Sequence, residues 1–327
     1  MKRVFYYMFL VAIISSCKQD LCKYDELSDH SSIKASVDWS ESNIDPTNIH
    51  NLSIYAYPEG GDAPYLKVSG DVESATINLL DGFYSLLIFN DVVEDIAGLK
   101  FENSDSYDEF LAKIVETTLP TTAYYSMASD EVLATTHGQL ATWHMDQLEV
   151  IVDTEVCPYC GELHNEQILI DVVPTPTTTI CSFRVYVDNL NNAQTIQGVV
   201  KGFAAGAYLL SGDRISMEDK TVIYSFSFTS ATYTDEKSKD GYVEAQIITF
   251  GKVPDASQTY ELELDIILNN GELEKFTRDI TDQVMEQENV KILITLESDD
   301  DKITLPDGDG TGFGVEAWGE KEAILLI

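Results

Sequence analysis

From about Ile33 onward the chain alternates apolar and polar residues with a period of two, the pattern of β-strands that bury one face. Phe183, Val185 and Val187 alternate with Ser182, Arg184, Tyr186 and Asp188, and Leu262, Leu264 and Ile266 alternate with Glu261, Glu263 and Asp265. Ile292, Ile294 and Leu296 repeat the pattern. Alternation, rather than continuous apolar runs, predicts antiparallel sheets with a solvated side. Turn formers recur between these runs: Pro58-Glu59-Gly60-Gly61, Asp81-Gly82, Ser211-Gly212-Asp213, Asp240-Gly241 and Asn269-Asn270-Gly271. Short strands at this spacing predict an all-β protein built of antiparallel β-sandwiches. Two places read as short helices: residues 104–116, where Ser104 or Asp105 caps a turn leading to Phe110, Leu111 and Ile114, and residues 281–288.

The first seventeen residues follow another rule. Lys2 and Arg3 precede an apolar run at residues 4–14 that is too short to span a bilayer, and Ile14-Ser15-Ser16-Cys17 closes it. This is the pattern of a lipoprotein signal peptide at residues 1–16, with Cys17 as the acylated first residue of the mature chain. Residues 17–32 are polar and aperiodic and read as a flexible tether. Its Lys23-Tyr24-Asp25-Glu26 has the character of tags that route lipoproteins to the outer cell surface. The stretch Val-Pro-Thr-Pro-Thr-Thr-Thr at 173–179 breaks any regular ladder and separates an N-terminal domain, 33–172, from a C-terminal domain, 173–297. Residues 298–327 read as an acidic, glycine-bearing linker followed by a C-terminal strand.

At 327 residues and 44% apolar content the chain is long enough for two domains, each with its own core. Its formal charge is −36, and removal of residues 1–16 takes away two basic residues and no acids, giving −38. Such a surface repels nucleic acid and anionic headgroups, so nucleic-acid binding is excluded and membrane attachment has to come from acyl chains.

Cys157-Pro158-Tyr159-Cys160-Gly161, with His164 beyond it, is the one cluster that resembles a chemical site. The pair can hold zinc together with His164, with Cys181 or Cys22 completing the set from elsewhere. It can act as a redox dithiol, although that requires a strand-to-helix setting, and the flanking runs at 148–153 and 167–173 are both strand-like. It can also be a loop-stiffening disulfide between Cys157 and Cys160, or two free thiols, which an exported location permits. His30, His137 and His144 are isolated, and no nucleophile elbow, phosphate loop or zinc-protease helix is present. The chain therefore reads as a protein with no enzymatic activity and no required cofactor.

Further segments fall into a recognisable order. They begin with Cys17 and Cys22, then Ala35-Ser36-Val37-Asp38-Trp39-Ser40, Leu52-Ser53-Ile54-Tyr55-Ala56-Tyr57-Pro58-Glu59-Gly60-Gly61 and Gly82-Phe83-Tyr84-Ser85-Leu86-Leu87-Ile88-Phe89-Asn90. Val187-Asp188-Asn189-Leu190, Val199-Val200-Lys201-Gly202-Phe203-Ala204-Ala205-Gly206, Ile248-Thr249-Phe250-Gly251 and Asp279-Ile280-Thr281-Asp282-Gln283-Val284 follow, and Gly312-Phe313-Gly314-Val315-Glu316-Ala317-Trp318 ends the series. In this order the chain resembles a family of Bacteroidota lipoproteins of unassigned function, related to the fimbrillins and fimbrial anchors of type V pili. The resemblance implies two transthyretin-like β-sandwich domains in tandem, tethered by lipid to the outer membrane, with no catalytic residues. Cys157 and Cys160 lie outside the family pattern, as a local elaboration would. Trp39 and Tyr84, beside alternating runs, and Phe203 and Tyr208, among glycines and alanines, are expected to pack in the interior.

The leading functional expectation is a non-enzymatic surface lipoprotein that anchors, joins or lends adhesion to a fimbria-like assembly. Such assemblies grow by strand addition, and the segment placed for it is 315–327, with Val315, Ile324, Leu325, Leu326 and Ile327 as donor positions unless it closes the edge of its own domain. Two alternatives are a glycan- or ligand-binding lipoprotein of an uptake system, with Trp143, Trp318 or Tyr233 as stacking aromatics, and a zinc or dithiol protein.

Overall fold

The computed structural model describes residues 30–61, 63–93, 96–118, 125–152, 167–228, 230–234 and 238–307. The chain first lays down β1 (Ser31–Val37), β2 (Leu52–Pro58), β3 (Tyr65–Ser69), β4 (Ser74–Leu79) and β5 (Gly82–Asn90). It then makes an excursion through β6 (Leu99–Glu102), β7 (Leu111–Ile114), β8 (Glu116–Thr117) and β9 (Glu131–Ala134), and returns with β10 (Ala141–Val150) and β11 (Ile168–Val172). After β12 (Thr175–Pro176), a second unit opens with β13 (Thr179–Asp188) and β14 (Ala193–Lys201), followed by a shorter excursion through β15 (Gly206–Tyr208) and β16 (Arg214–Ile215). It continues with β17 (Thr221–Ser227), β18 (Ser230–Tyr233), β19 (Gly241–Thr249), β20 (Glu261–Leu268), β21 (Leu273–Asp279), helix α1 (Thr281–Met285), β22 (Lys291–Leu296) and β23 (Ile303–Thr304).

Without the excursions the two units share one seven-strand wiring. A sheet ordered β11-β1-β4 pairs with a sheet containing β10-β5-β2-β3 in the first, and β22-β13-β19 pairs with β21-β20-β14-β17 in the second. In each unit the opening strand, β1 or β13, has an antiparallel neighbour on one side and the parallel closing strand on the other. Two all-β sandwiches in tandem are thus present, and the alternation read from β13, β20 and β22 matches their one-sided burial.

The excursions weld the units together. The pairs β6–β7 and β15–β16 form one four-stranded sheet, joined by antiparallel pairing of β7 with β15. Strand β9 pairs in parallel with β17, extending the second unit's sheet to six strands. Strands β6 to β9, assigned by sequence to the first domain, are therefore partly built into the second. The cause is visible in β2 and β5, which are buried on both faces. Ile54, Ala56, Leu86 and Ile88 point into the first core. Tyr55, Tyr57, Leu87 and Phe89 point the other way, into a core that also holds Phe110, Ala112 and the second unit's interior. Because no solvated side is left, these runs lose their polar alternation.

Three further expectations are corrected. Residues 104–116 form no helix: Asn103 takes a left-handed conformation, Ser106 N–H donates to Asn103 O at 2.9 Å, and the chain then extends as β7. The main-chain partners offered by β6 and β15 outweigh the weak helical preference of this short segment. The supposed linker at 173–179 is fixed in place, because β12 pairs with β10 and Thr177 and Thr178 are buried. Residues 298–307 are likewise more than a linker: β23 lies parallel to β13, and Ile303 and Leu305 are buried. The second helix is present but short, at 281–285.

Candidate functional site

Cys17, Cys157, Cys160 and His164, the terminal positions Val315, Ile324, Leu325, Leu326 and Ile327, and Trp318 lie outside the described residues. Cys181, named as a remote fourth zinc ligand, is sealed inside the second sandwich, where burial pushes its thiol up to about 12 despite a contact with Thr249 Oγ1 at 3.4 Å. A buried neutral thiol is a poor metal ligand. Among the described residues no group of three His, Cys, Asp or Glu side chains is arranged to hold a metal ion.

The aromatic residues resolve into packing roles. Trp39 is buried with its indole N–H donating to Val72 O at 2.8 Å, and Tyr84 is buried with its hydroxyl on Leu80 O at 3.1 Å. Phe203 is buried against Tyr260, and half-buried Tyr208 pairs in register with Leu111. Trp143 packs on the first core and Tyr233 on the second, so the two do not form a common stacking platform. A shallow slot of about 260 Å³ lies beside Ser182, Arg184, Glu244, Gln246 and Leu293. It falls below the roughly 300 Å³ at which small-molecule sites begin, and its walls are already paired by the Arg184–Glu244 ion pair at 2.5 Å.

The remaining candidates are sheet edges. Strand β3 ends the five-stranded sheet and exposes Tyr65, Leu66 and Val68, with Lys67 between them as a charge that discourages indiscriminate pairing. Strand β11 ends the three-stranded sheet and carries Leu169, 70% exposed. Among the described residues these edges have no neighbour on their outer side, and an unpaired edge offers main-chain donors and acceptors to an extended segment of another chain. No sequence motif marks them, since an edge is defined by which neighbours are missing.

One charged cluster holds the welded region together. Lys201 on β14 sits among Glu131 of β9 at 3.2 Å and Glu261 and Glu263 of β20 at 3.0 and 2.6 Å. Tyr125 donates to Glu131 and lies under the Lys201 ammonium. Burial works to lower the Lys201 pKa, but hydrogen bonds to Glu263, Glu261, Tyr125 and Glu131 outweigh it and hold the ammonium charged. Glu131 is held ionised in the same way: burial opposes its charge, and bonds from Tyr125, the Ala128 N–H and Lys201 overcome it. Lys201→Met keeps the stem and leaves three carboxylates facing one another, so it is expected to cost about 2–3 kcal/mol, read as a lower denaturation midpoint. Adding Glu131→Gln should recover part of that loss.

These features define a class: a tandem β-sandwich protein whose distinctive surfaces are strand edges. The chain belongs to a family described only as a domain of unknown function, DUF5119, whose sequence profile matches residues 15–225. No curated protein matches it by sequence. A crystal structure of a candidate adhesin from Bacteroides ovatus is 16% identical, with a TM-score of 0.59 over 88% of this chain and 98% of that one. A candidate adhesin from Bacteroides thetaiotaomicron is 10% identical, with a TM-score of 0.49 over 86% and 95%. The fimbrial anchor protein Mfa2 from Porphyromonas gingivalis is 12% identical, with a TM-score of 0.48 over 81% and 90%.

Proposed function

We propose that the chain is a non-enzymatic lipoprotein of the outer cell surface, acylated at Cys17, that acts as an anchor, minor subunit or adhesive component of a fimbria-like assembly. The observation that carries this reading is the fold shared with the Bacteroides ovatus candidate adhesin across 88% of the chain. The leader ending at Cys17 and the exposed edges of β3 and β11 support it, because the first supplies attachment and the second supplies main-chain pairing.

The test uses the full chain and a form ending at Asp307. That cut spares the docked residues, since Asn189 and Asn192 side chains donate to Leu305 O and Pro306 O at 2.8 and 3.0 Å. Both forms are expected to fold with the same circular dichroism spectrum. The full chain should co-purify with partner subunits in mild detergent, and the shortened chain should lose them if residues 308–327 are the donated segment. A full chain that is monomeric and without partners under all extraction conditions would contradict the fimbrial reading.

A further inference from the structure

Among the described residues the closing strand of the second unit, β22, ends its sheet, and the main chain on its outer side is occupied by two side chains. Gln283, on helix α1, accepts from Thr295 N–H at 2.9 Å and donates to Thr295 O at 3.1 Å. Gln287, four residues on, accepts from Leu293 N–H at 2.8 Å and donates to Leu293 O at 2.9 Å. Each carboxamide reproduces the two-bond exchange that a residue of an antiparallel strand would make. Gln283 lies within α1 and Gln287 in the turn just past its end, where its Nε2 also donates to Gln283 O at 2.7 Å. The two carboxamides thus reach alternate strand residues, about 6.8 Å apart, whose polar groups turn to the same edge.

We propose that Gln283 and Gln287 mask the β22 edge and keep it from pairing with the β22 edge of a second copy of this chain. The occupant follows from the strand itself. Lys291-Ile292-Leu293-Ile294-Thr295-Leu296 is rich in β-branched and apolar residues, contains no proline, and carries Leu293 48% exposed on its outer face. Two such edges approaching antiparallel around a two-fold axis are self-complementary, and they would form the same four main-chain bonds that the glutamines now make. Each molecule also exposes the same Leu293, so the paired sheets would bury both copies.

The mask can be removed without undocking the helix. Ile280 and Val284 are buried, Lys252 Nζ donates to Met285 O at 2.9 Å and also to Gln287 O, and Asn289 bonds Lys252 through both its amide atoms at 2.7 and 3.0 Å. None of these contacts uses the Gln283 or Gln287 carboxamide.

The test compares the full chain with Gln283→Ala/Gln287→Ala and Gln283→Glu/Gln287→Glu in the same detergent, by amide hydrogen exchange and sedimentation. At a dilution where it is monomeric, the alanine variant should exchange the Leu293 and Thr295 amides at least about tenfold faster, as expected for loss of the side-chain acceptor. The glutamate variant keeps an acceptor oxygen for both amides and should exchange them near the wild-type rate. The alanine variant should self-associate as concentration rises. The glutamate variant should remain at the wild-type mass, because four added carboxylates meet across the two-fold axis. Unchanged exchange in the alanine variant would overturn the mask. Faster exchange with no self-association of the alanine variant at any accessible concentration would overturn its role in excluding a second copy. If the alanine variant fails to fold, Gln283→Ser/Gln287→Ser, whose hydroxyls are too short to reach the strand, takes its place, and the same two outcomes overturn the proposal.

Discussion

Phe110→Ala is expected to lower the stability of the chain by about 3–5 kcal/mol, the range for deleting a fully buried phenylalanine. Phe110 lies on the excursion between the two sandwiches and is 0% exposed. Its ring meets Tyr55 at 5.2 Å and Phe89 and Phe101 at 6.0 Å each, all edge-on. Tyr55 and Phe89 belong to the first unit's sheet, and the same cluster continues through the excursion residues Ala112 and Ile114 into the second unit's interior, including Phe183, Phe203 and Tyr260. The substitution therefore opens a cavity at the weld, beyond the loss of the ring's own burial. Because strands cross between units at β7–β15 and β9–β17, the wild-type chain should unfold in one cooperative transition. Denaturant unfolding followed by the fluorescence of Trp39 and Trp143 and by far-ultraviolet circular dichroism should give coincident curves for the wild type. The two curves should separate for Phe110→Ala. Non-coincident curves already in the wild type would show that the weld does not couple the units, and a loss below about 1 kcal/mol in the variant would show that Phe110 does not hold the weld.

Acidification is expected to remove about 3 kcal/mol of stability through one side chain, His137. Its ring is buried against Phe250 and Tyr224, with Nδ1 3.0 Å from Gly138 O and Nε2 without a partner. Burial lowers its pKa from 6.5 to about 4, against the opposing pull of the Gly138 carbonyl. The folded chain therefore binds the proton less readily than the unfolded chain. The contribution is intact above pH 6.5, shrinks as pH falls from 6.5 to about 4, and is lost below that, at about 1.4 kcal/mol per unit of pKa difference. Many carboxylates titrate in the same range, so the informative quantity is the stability difference between wild type and His137→Phe. That difference should move by about 3 kcal/mol in favour of the variant between pH 7 and pH 4, and a flat difference would show that His137 does not titrate on unfolding. Gly98 permits this burial: its φ is +74°, and a Cβ there would stand 2.4 Å from Thr136 O and 2.9 Å from the His137 Cα.

What was legible in the sequence follows from how far each residue's partners lie along the chain. Strands such as β13, β20 and β22 bury one face against a core of their own unit, so their period of two reports their structure directly. Strand β7 pairs with β15, whose residues lie nearly a hundred positions later, and its four residues are too few to show any period. The helix reading of 104–116 failed there because local capping residues were visible and the distant strand was not. Glutamines at 283 and 287 mark a helix as well as any polar residue would, but their role depends on which edge the helix lies against. Lys201 reads as one more alternating polar residue until β9 and β20 bring three carboxylates to it. Trp39 was legible as interior because it adjoins the alternating strand β1, and Phe203 because it sits among glycines and alanines that allow close packing.

Protease shaving of intact cells that produce the native protein, followed by native-size separation in mild detergent, addresses location and partnership together. A surface lipoprotein of a fimbria-like assembly should be released from intact cells and should migrate with high-mass, ladder-like partners. Full protection from protease together with a strictly monomeric product would place the chain on the periplasmic side and contradict the account.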